Sequence, residues 1–129
     1  MEEWTPLHNA AGVDDVVTIR RLVAEGADVN VKGPGEASPL HVAAQQGQVD
    51  AVKTLVEHGA DKEASDANGA TPLHAAAHQG HVAVVKTLVE AGADKEATAA
   101  DGSTPLHHAA HQGHVAVVKT LVEHGADKD

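Results

Sequence analysis

The stretch Thr71-Pro72-Leu73-His74-Ala75-Ala76-Ala77-His78-Gln79-Gly80 decides the fold. Thr71 suits a helix N-cap, and Pro72 fits the first helical position, where no backbone donor is lost. Leu73, Ala76 and Ala77 fall on one apolar face, which predicts a short helix running to about Gln79. Gly80 then supplies a left-handed stop. The opening tetrapeptide returns as Thr5-Pro6-Leu7-His8, Ser38-Pro39-Leu40-His41 and Thr104-Pro105-Leu106-His107, 33 residues apart each time. A fixed period of this length marks a solenoid, in which a unit cannot bury its apolar face alone and stacks on its neighbours.

Downstream of Gly80, Val82, Val85, Leu88 and Val89 recur at helical spacing along a second helix ended by Gly92. Each unit therefore reads as helix, tight turn, helix. The polar stretches between units, with Asn68-Gly69 and Asp101-Gly102, predict protruding hairpin-like loops. Unit boundaries at 2–34, 35–67, 68–100 and 101–129 place the whole chain in one domain. Residues 67–96 match 100–129 at 25 of 30 positions, whereas the first unit diverges most. The paired alanines Ala10-Ala11, Ala43-Ala44, Ala76-Ala77 and Ala109-Ala110 let the first helices nest closely. The motif leucines, with Leu22, Leu55, Leu88 and Leu121, form a ladder of expected core anchors.

Composition narrows the function classes. Nine Lys and Arg against nineteen Asp and Glu leave a formal charge of −10 with no basic stripe, which argues against nucleic acid and favours a basic protein partner. The absence of cysteine removes disulfides, thiolate metal sites and cysteine nucleophiles, and fits a cytoplasmic location. No apolar run approaches the roughly 20 residues needed to span a bilayer, so no membrane role is expected. Eleven histidines, if mostly exposed, would bring the net charge near zero in mild acid and lower solubility.

The pattern Gly69-Ala70-Thr71-Pro72-Leu73-His74, then Ala76-Ala77, Gly80-His81, Val84-Val85-Lys86, Leu88-Val89 and Gly92-Ala93-Asp94, resembles an ankyrin repeat. The resemblance covers the chain four times over. It implies an all-α solenoid of helix-turn-helix units joined by β-hairpin-like fingers, and a non-catalytic protein-binding module or scaffold. It further implies that His8, His41, His74 and His107 join the hydrogen-bond network that fixes each finger. Partner contacts would then come from finger positions Trp4, Pro34, Gly35, Ala37, Ala67, Asn68, Ala70, Ala100, Asp101 and Ser103. First-helix positions Gln45, Gln46, His78, Gln79, His111 and Gln112 would line the same concave groove. Three departures stand out. Asp14 replaces the glycine found at Gly47, Gly80 and Gly113. The sequence Gly33-Pro34-Gly35-Glu36 replaces the Asp-x-x-Gly turn. Lys62-Glu63 and Lys95-Glu96 replace the Val-Asn seen at Val29-Asn30, where the Asn reads as finger-stabilising.

Other chemistry is weaker. His74 and His78, like His107 and His111, are four apart and could share a helical face, but no cysteine or carboxylate completes a ligand set, so neither metal nor cofactor is expected. A consensus-like scaffold without a specific partner, or a pH-responsive histidine array, are the competing readings. Carboxylates sit in repeated surface slots, which suits solvation better than a tuned acid–base pair, so no enzyme activity is expected. At the carboxyl end, Val115, Val117, Val118, Leu121 and Val122 keep their apolar character, so this face is expected to stand partly open to water. The chain would then be part of a longer array, fray at its last unit, or self-associate end to end.

Overall fold

The computed structural model describes residues 3–126. Eight helices follow in order: α1 (Pro6–Gly12), α2 (Val16–Ala24), α3 (Pro39–Gln46), α4 (Val49–Glu57), α5 (Pro72–Gln79), α6 (Val82–Glu90), α7 (Pro105–His111) and α8 (Val115–Glu123). The described residues contain no strand, so the fold is all-α. First helices stack α1 on α3 on α5 on α7, and second helices stack α2 on α4 on α6 on α8 behind them. The result is a two-layered repetition of one helix pair, with polar fingers projecting between consecutive pairs.

Each first helix starts the same way. Thr71 is extended at φ −91°, and its hydroxyl accepts the His74 backbone N–H at 3.4 Å. His74 answers through Nδ1, which accepts the Thr71 backbone N–H at 3.0 Å and lies 2.9 Å from the Thr71 hydroxyl. A backbone N–H can only donate, so Nδ1 carries no proton and the remaining proton sits on Nε2. That Nε2–H donates to the Ser103 carbonyl at 2.9 Å, 29 residues on, in the next finger. His8 and His41 repeat the arrangement toward the carbonyls of Ala37 and Ala70, each at 2.8 Å. One side chain thus satisfies an orphan helix donor and ties two units together.

Packing follows from the same register. Leu7, Leu40 and Leu73 are buried, and Ala11, Ala43, Ala44, Ala76 and Ala77 are fully enclosed between neighbouring first helices. Burying each leucine contributes about 1.5–3 kcal/mol. Two expectations need correction. In α6 the enclosed residues are Val84, Val85, Leu88 and Val89, while Val82 is only partly covered. The helix is flanked by α4 and α8, so its apolar arc is wider than one face requires. In α2 the anchor is Ile19 rather than Leu22, which is only partly buried because no helix pair lies on its outer side.

Links from the start of a second helix to the first helix of the preceding pair form a further row. The side chain of Gln48 donates to the Gly12 carbonyl at 2.9 Å, and His81 and His114 reach the carbonyls of Gln45 and His78 at 2.8 and 2.9 Å. Gly47 and Gly80 leave room for these rings: a Cβ there would lie 2.8 Å from His81 and 2.7 Å from His114, and both glycines sit at positive φ. Asp14 takes the left-handed turn at φ 61° without glycine, and its carboxylate accepts the Ala51 N–H at 2.8 Å, supplying a helix cap for α4 from 37 residues away.

The departures in the fingers are absorbed in similar fashion. Gly33 N–H bonds the Ala37 carbonyl at 2.9 Å, matching Asp66 to Ala70 and Ala99 to Ser103, although Pro34–Glu36 forms a 3-10 turn of its own. Fingers are also stitched to one another, Ala67 N–H to Gly35 and Ala100 N–H to Asn68, each at 2.9 Å. Asn30 accepts the Asp61 N–H at 2.8 Å, and Glu63 accepts the Asp94 N–H at 2.9 Å, so the glutamate performs the asparagine's task.

Most histidines are not exposed. Only His58, His78, His107 and His111 are open to solvent, whereas His8, His41 and His74 are buried. Burial pushes His41 and His74 below the usual imidazole value, against the raising effect of their carbonyl bonds. These two side chains therefore resist protonation in the folded chain.

Two outcomes follow. Leu73→Ala should lower unfolding free energy by about 2–5 kcal/mol through lost transfer energy and a residual cavity, read from urea midpoints; a loss below about 1 kcal/mol would contradict the packing. The unfolded chain binds protons at His41 and His74 near pH 6.5, before the folded chain does, so stability is full above that pH. It should fall as pH drops below 6.5 through the depressed folded values. Relief of the −10 charge acts oppositely, so a urea midpoint that rises between pH 7.5 and 5.5 would show that general repulsion outweighs the histidines.

Candidate functional site

The concave side is bounded by the fingers and by the exposed ends of the first helices. Both walls come from local rules. The helix wall presents residues one turn past the buried leucine and alanines, and the finger wall presents the tips of turns closed by Asx geometry. Asp66 Oδ1 accepts the N–H groups of Asn68 and Ala70 at 2.8 and 3.0 Å, and Asp101 Oδ1 accepts that of Ser103 at 3.0 Å.

Consecutive clefts run along this groove. The first, about 490 Å³, is lined by Trp4, His8, Asn9, Gly12, Val13, Val42, Gln45 and Gln46. Trp4 is 47% exposed and Val13 72% exposed, and Val42 is half-buried beside them. The indole meets His8 edge to face, with centroids 5.2 Å apart. It is seated over Gly33, where an added Cβ would touch both rings at 3.0 Å. A second cleft of about 350 Å³ shares Gln45 with the first and adds Asp66, Asn68, Ala70, Ala75, His78, Gln79 and His108. A third, about 400 Å³, shares His78 and His108 and continues to Asp101, Ser103, His107, His111 and Gln112. Ala100 lines a smaller hollow between the last two fingers.

The two halves differ chemically. The half at α1 and α3 is apolar and aromatic with amide edges. The half at α5 and α7 is faced by imidazoles on its helix wall and by carboxylates on its finger wall. Asp101 is held below the usual carboxylate range by its bonds from Ser103 and stays ionised. His108 is held below the usual imidazole value by burial, and by His74 and His78 nearby. It meets both rings edge to face, at 5.2 and 5.6 Å, and its Nε2 is buried without a hydrogen-bond partner. No Lys or Arg lines these clefts, so near neutral pH the finger wall is negative.

Most of the sequence-derived contact residues lie along this line. Trp4, Gln45 and Gln46 share the first cleft, Asn68, Ala70, His78 and Gln79 the second, and Asp101, Ser103, His111 and Gln112 the third. Pro34, Gly35, Ala37 and Ala67 line none of these clefts. The Gly35 carbonyl and Ala67 N–H bond each other, and the Ala37 carbonyl holds His8, so their backbones are engaged in structure. Sequence reasoning missed Asn9, Val13, Val42 and His108. Asn9, Val42, Ala75 and His108 occupy the same place in successive units, and their variation against a near-constant background was the available signal.

His8, His41 and His74 have both ring nitrogens committed, and Asp66 and Asp101 serve as turn formers on separate fingers. Among the described residues no group of three or more His, Asp or Glu could hold a metal ion. No described helix is long and apolar enough to cross a membrane.

Comparison with known proteins agrees with the geometry. No curated protein matches the chain. A family model described as ankyrin repeats (3 copies) matches residues 1–66 and again 62–129. Helix pairs, histidine-capped starts and stacked fingers are accounted for together: the chain belongs to the ankyrin-repeat family.

Proposed function

We propose that this protein is a non-catalytic binding module that holds a protein partner along the concave groove, with Trp4, Val13 and Val42 as its apolar anchor. Ankyrin repeats are generally protein–protein interaction modules. The observation that carries the finer reading is the half-exposed Trp4, the only aromatic residue of its kind in the chain, at the rim of the largest groove cleft. Interface energy concentrates in such residues when neighbouring groups exclude water around them. Gln45 and Gln46 offer amides beside the anchor, able to pair with a partner's backbone.

The ionised finger wall, in a chain of net charge −10, favours a partner segment carrying basic side chains. Such complementarity mainly accelerates encounter and suppresses acidic competitors. A passive scaffold would give the same fold but would not require the exposed indole. A cytoplasmic location fits the absence of cysteine.

Affinity capture with the wild-type chain and with Trp4→Ala tests this reading. A protein retained by the wild type should bind the variant at least roughly 30-fold more weakly, and more weakly still as salt rises. Equal retention by both chains would sink the groove anchor.

A further inference from the structure

The last helix pair presents on its outer side the same residues that the inner pairs bury. Ala11, Ala44 and Ala77 are fully enclosed, yet Ala110 in the same place is exposed. His8, His41 and His74 are buried, yet His107 is exposed. Val52 and Val85 are enclosed, whereas Val118 is only partly covered. The expected open face is therefore narrower than its five residues: Val117 and Leu121 are buried inside the pair, and Val115, Val118 and Val122 remain open or half-open. His107 keeps its local bonds to Thr104, and its Nε2 edge has no acceptor among the described residues.

The opposite end carries the matching half. Pro6 is exposed where Pro39, Pro72 and Pro105 are buried. Pro6, Leu7, Leu22, Ala27 and Val31 line a nearly all-apolar cleft of about 290 Å³. By the 33-residue register, the carbonyl that receives His107 in a further unit corresponds to those of Ala37, Ala70 and Ser103, and the residue in that place before Ala37 is Trp4.

We propose that a second copy of this chain stacks head to tail on the α7–α8 face, its α1–α2 pair continuing the solenoid by one unit. The junction repeats the interfaces already built between helix pairs. Val118 and Val122 enter the cleft of Leu22, Ala27 and Val31, Ala110 nests against α1, and the His107 Nε2–H donates to the Trp4 carbonyl. Two residues depart from this continuity: Asp15, a carboxylate where Gln48, His81 and His114 donate to the preceding pair, and Arg21. Arg21 stands where Thr54 and Thr120 are buried, and it is more than half exposed in its pair with Glu25 at 3.4 Å. Its stem can lie over the junction with the charge in water. The contact is heterologous, so it grows into short chains rather than closing a ring. One unit's face is small for a stable complex, which makes the association weak and concentration-dependent.

Sedimentation equilibrium from about 10 μM to about 1 mM reads this directly. The weight-average mass should rise above 13.2 kDa with concentration, and rise further with salt, because screening relaxes the repulsion between copies of charge −10. Ala110→Arg blocks one end and Pro6→Glu the other, both at exposed positions, so each variant alone should stay monomeric. An equimolar mixture should form a dimer and stop there, through the open end of each. A wild-type mass that stays at the monomer value at every concentration and salt overturns the proposal, as does a mixture that remains monomeric. The wild-type series decides even where a variant loses its helical circular dichroism.

Discussion

A single imidazole, uncharged and in one tautomer, both starts a first helix and ties it to the finger that follows. In His41 and His74, Nδ1 must accept from the cap residue while Nε2–H reaches a carbonyl in the following finger. An imidazolium could not accept, and the opposite tautomer would leave the cap N–H unpaired and the finger carbonyl with only the bond from within its own finger. Buried polar groups left unpaired cost about 1–3 kcal/mol each. The constraint therefore fixes the finger's height above the first helix, and with it the depth of the groove. The alanine pairs act in concert: only a side chain this small lets neighbouring first helices approach until Nε2 and carbonyl stand 2.8–2.9 Å apart.

The groove's chemistry rests on that frame. Because fingers and helices are held at fixed separation by repeated bonds, the positions facing the concave side can differ from unit to unit without disturbing the frame. Asn9, Val42, Ala75 and His108 share one structural place, and so do Gly12, Gln45, His78 and His111. Changing these residues leaves the network untouched while turning the groove from apolar and aromatic at one end to imidazole-rich at the other. Such a division lets recognition vary without re-solving the packing problem.

What could be read from the chain is what local or strictly periodic physics determines. Thr71, Pro72 and Gly80 bound α5 by themselves, and the period alone places Leu73 between units. What escaped depends on neighbours one unit away. Nothing near Asp14 in the chain announces that its carboxylate caps α4 at Ala51, and nothing near Glu63 shows that it replaces Asn30 toward Asp94. Leu22 looks identical to Leu55 and Leu88 in pattern, yet only stacking reveals that its outer side lacks a partner. The groove residues Val13 and His108 were hidden for a related reason: their significance lies in which finger they face.

The most direct test of the central claim is the protonation pattern of the motif histidines, read by long-range nitrogen–proton NMR correlation on a dilute, monomeric sample. The account predicts that His41 and His74 hold their proton on Nε2, with Nδ1 a bare acceptor, and that this pattern persists as pH is lowered below 6.5. Rapid exchange between tautomers, or a proton on Nδ1 in the folded chain, would show that these side chains do not tie one unit to the next.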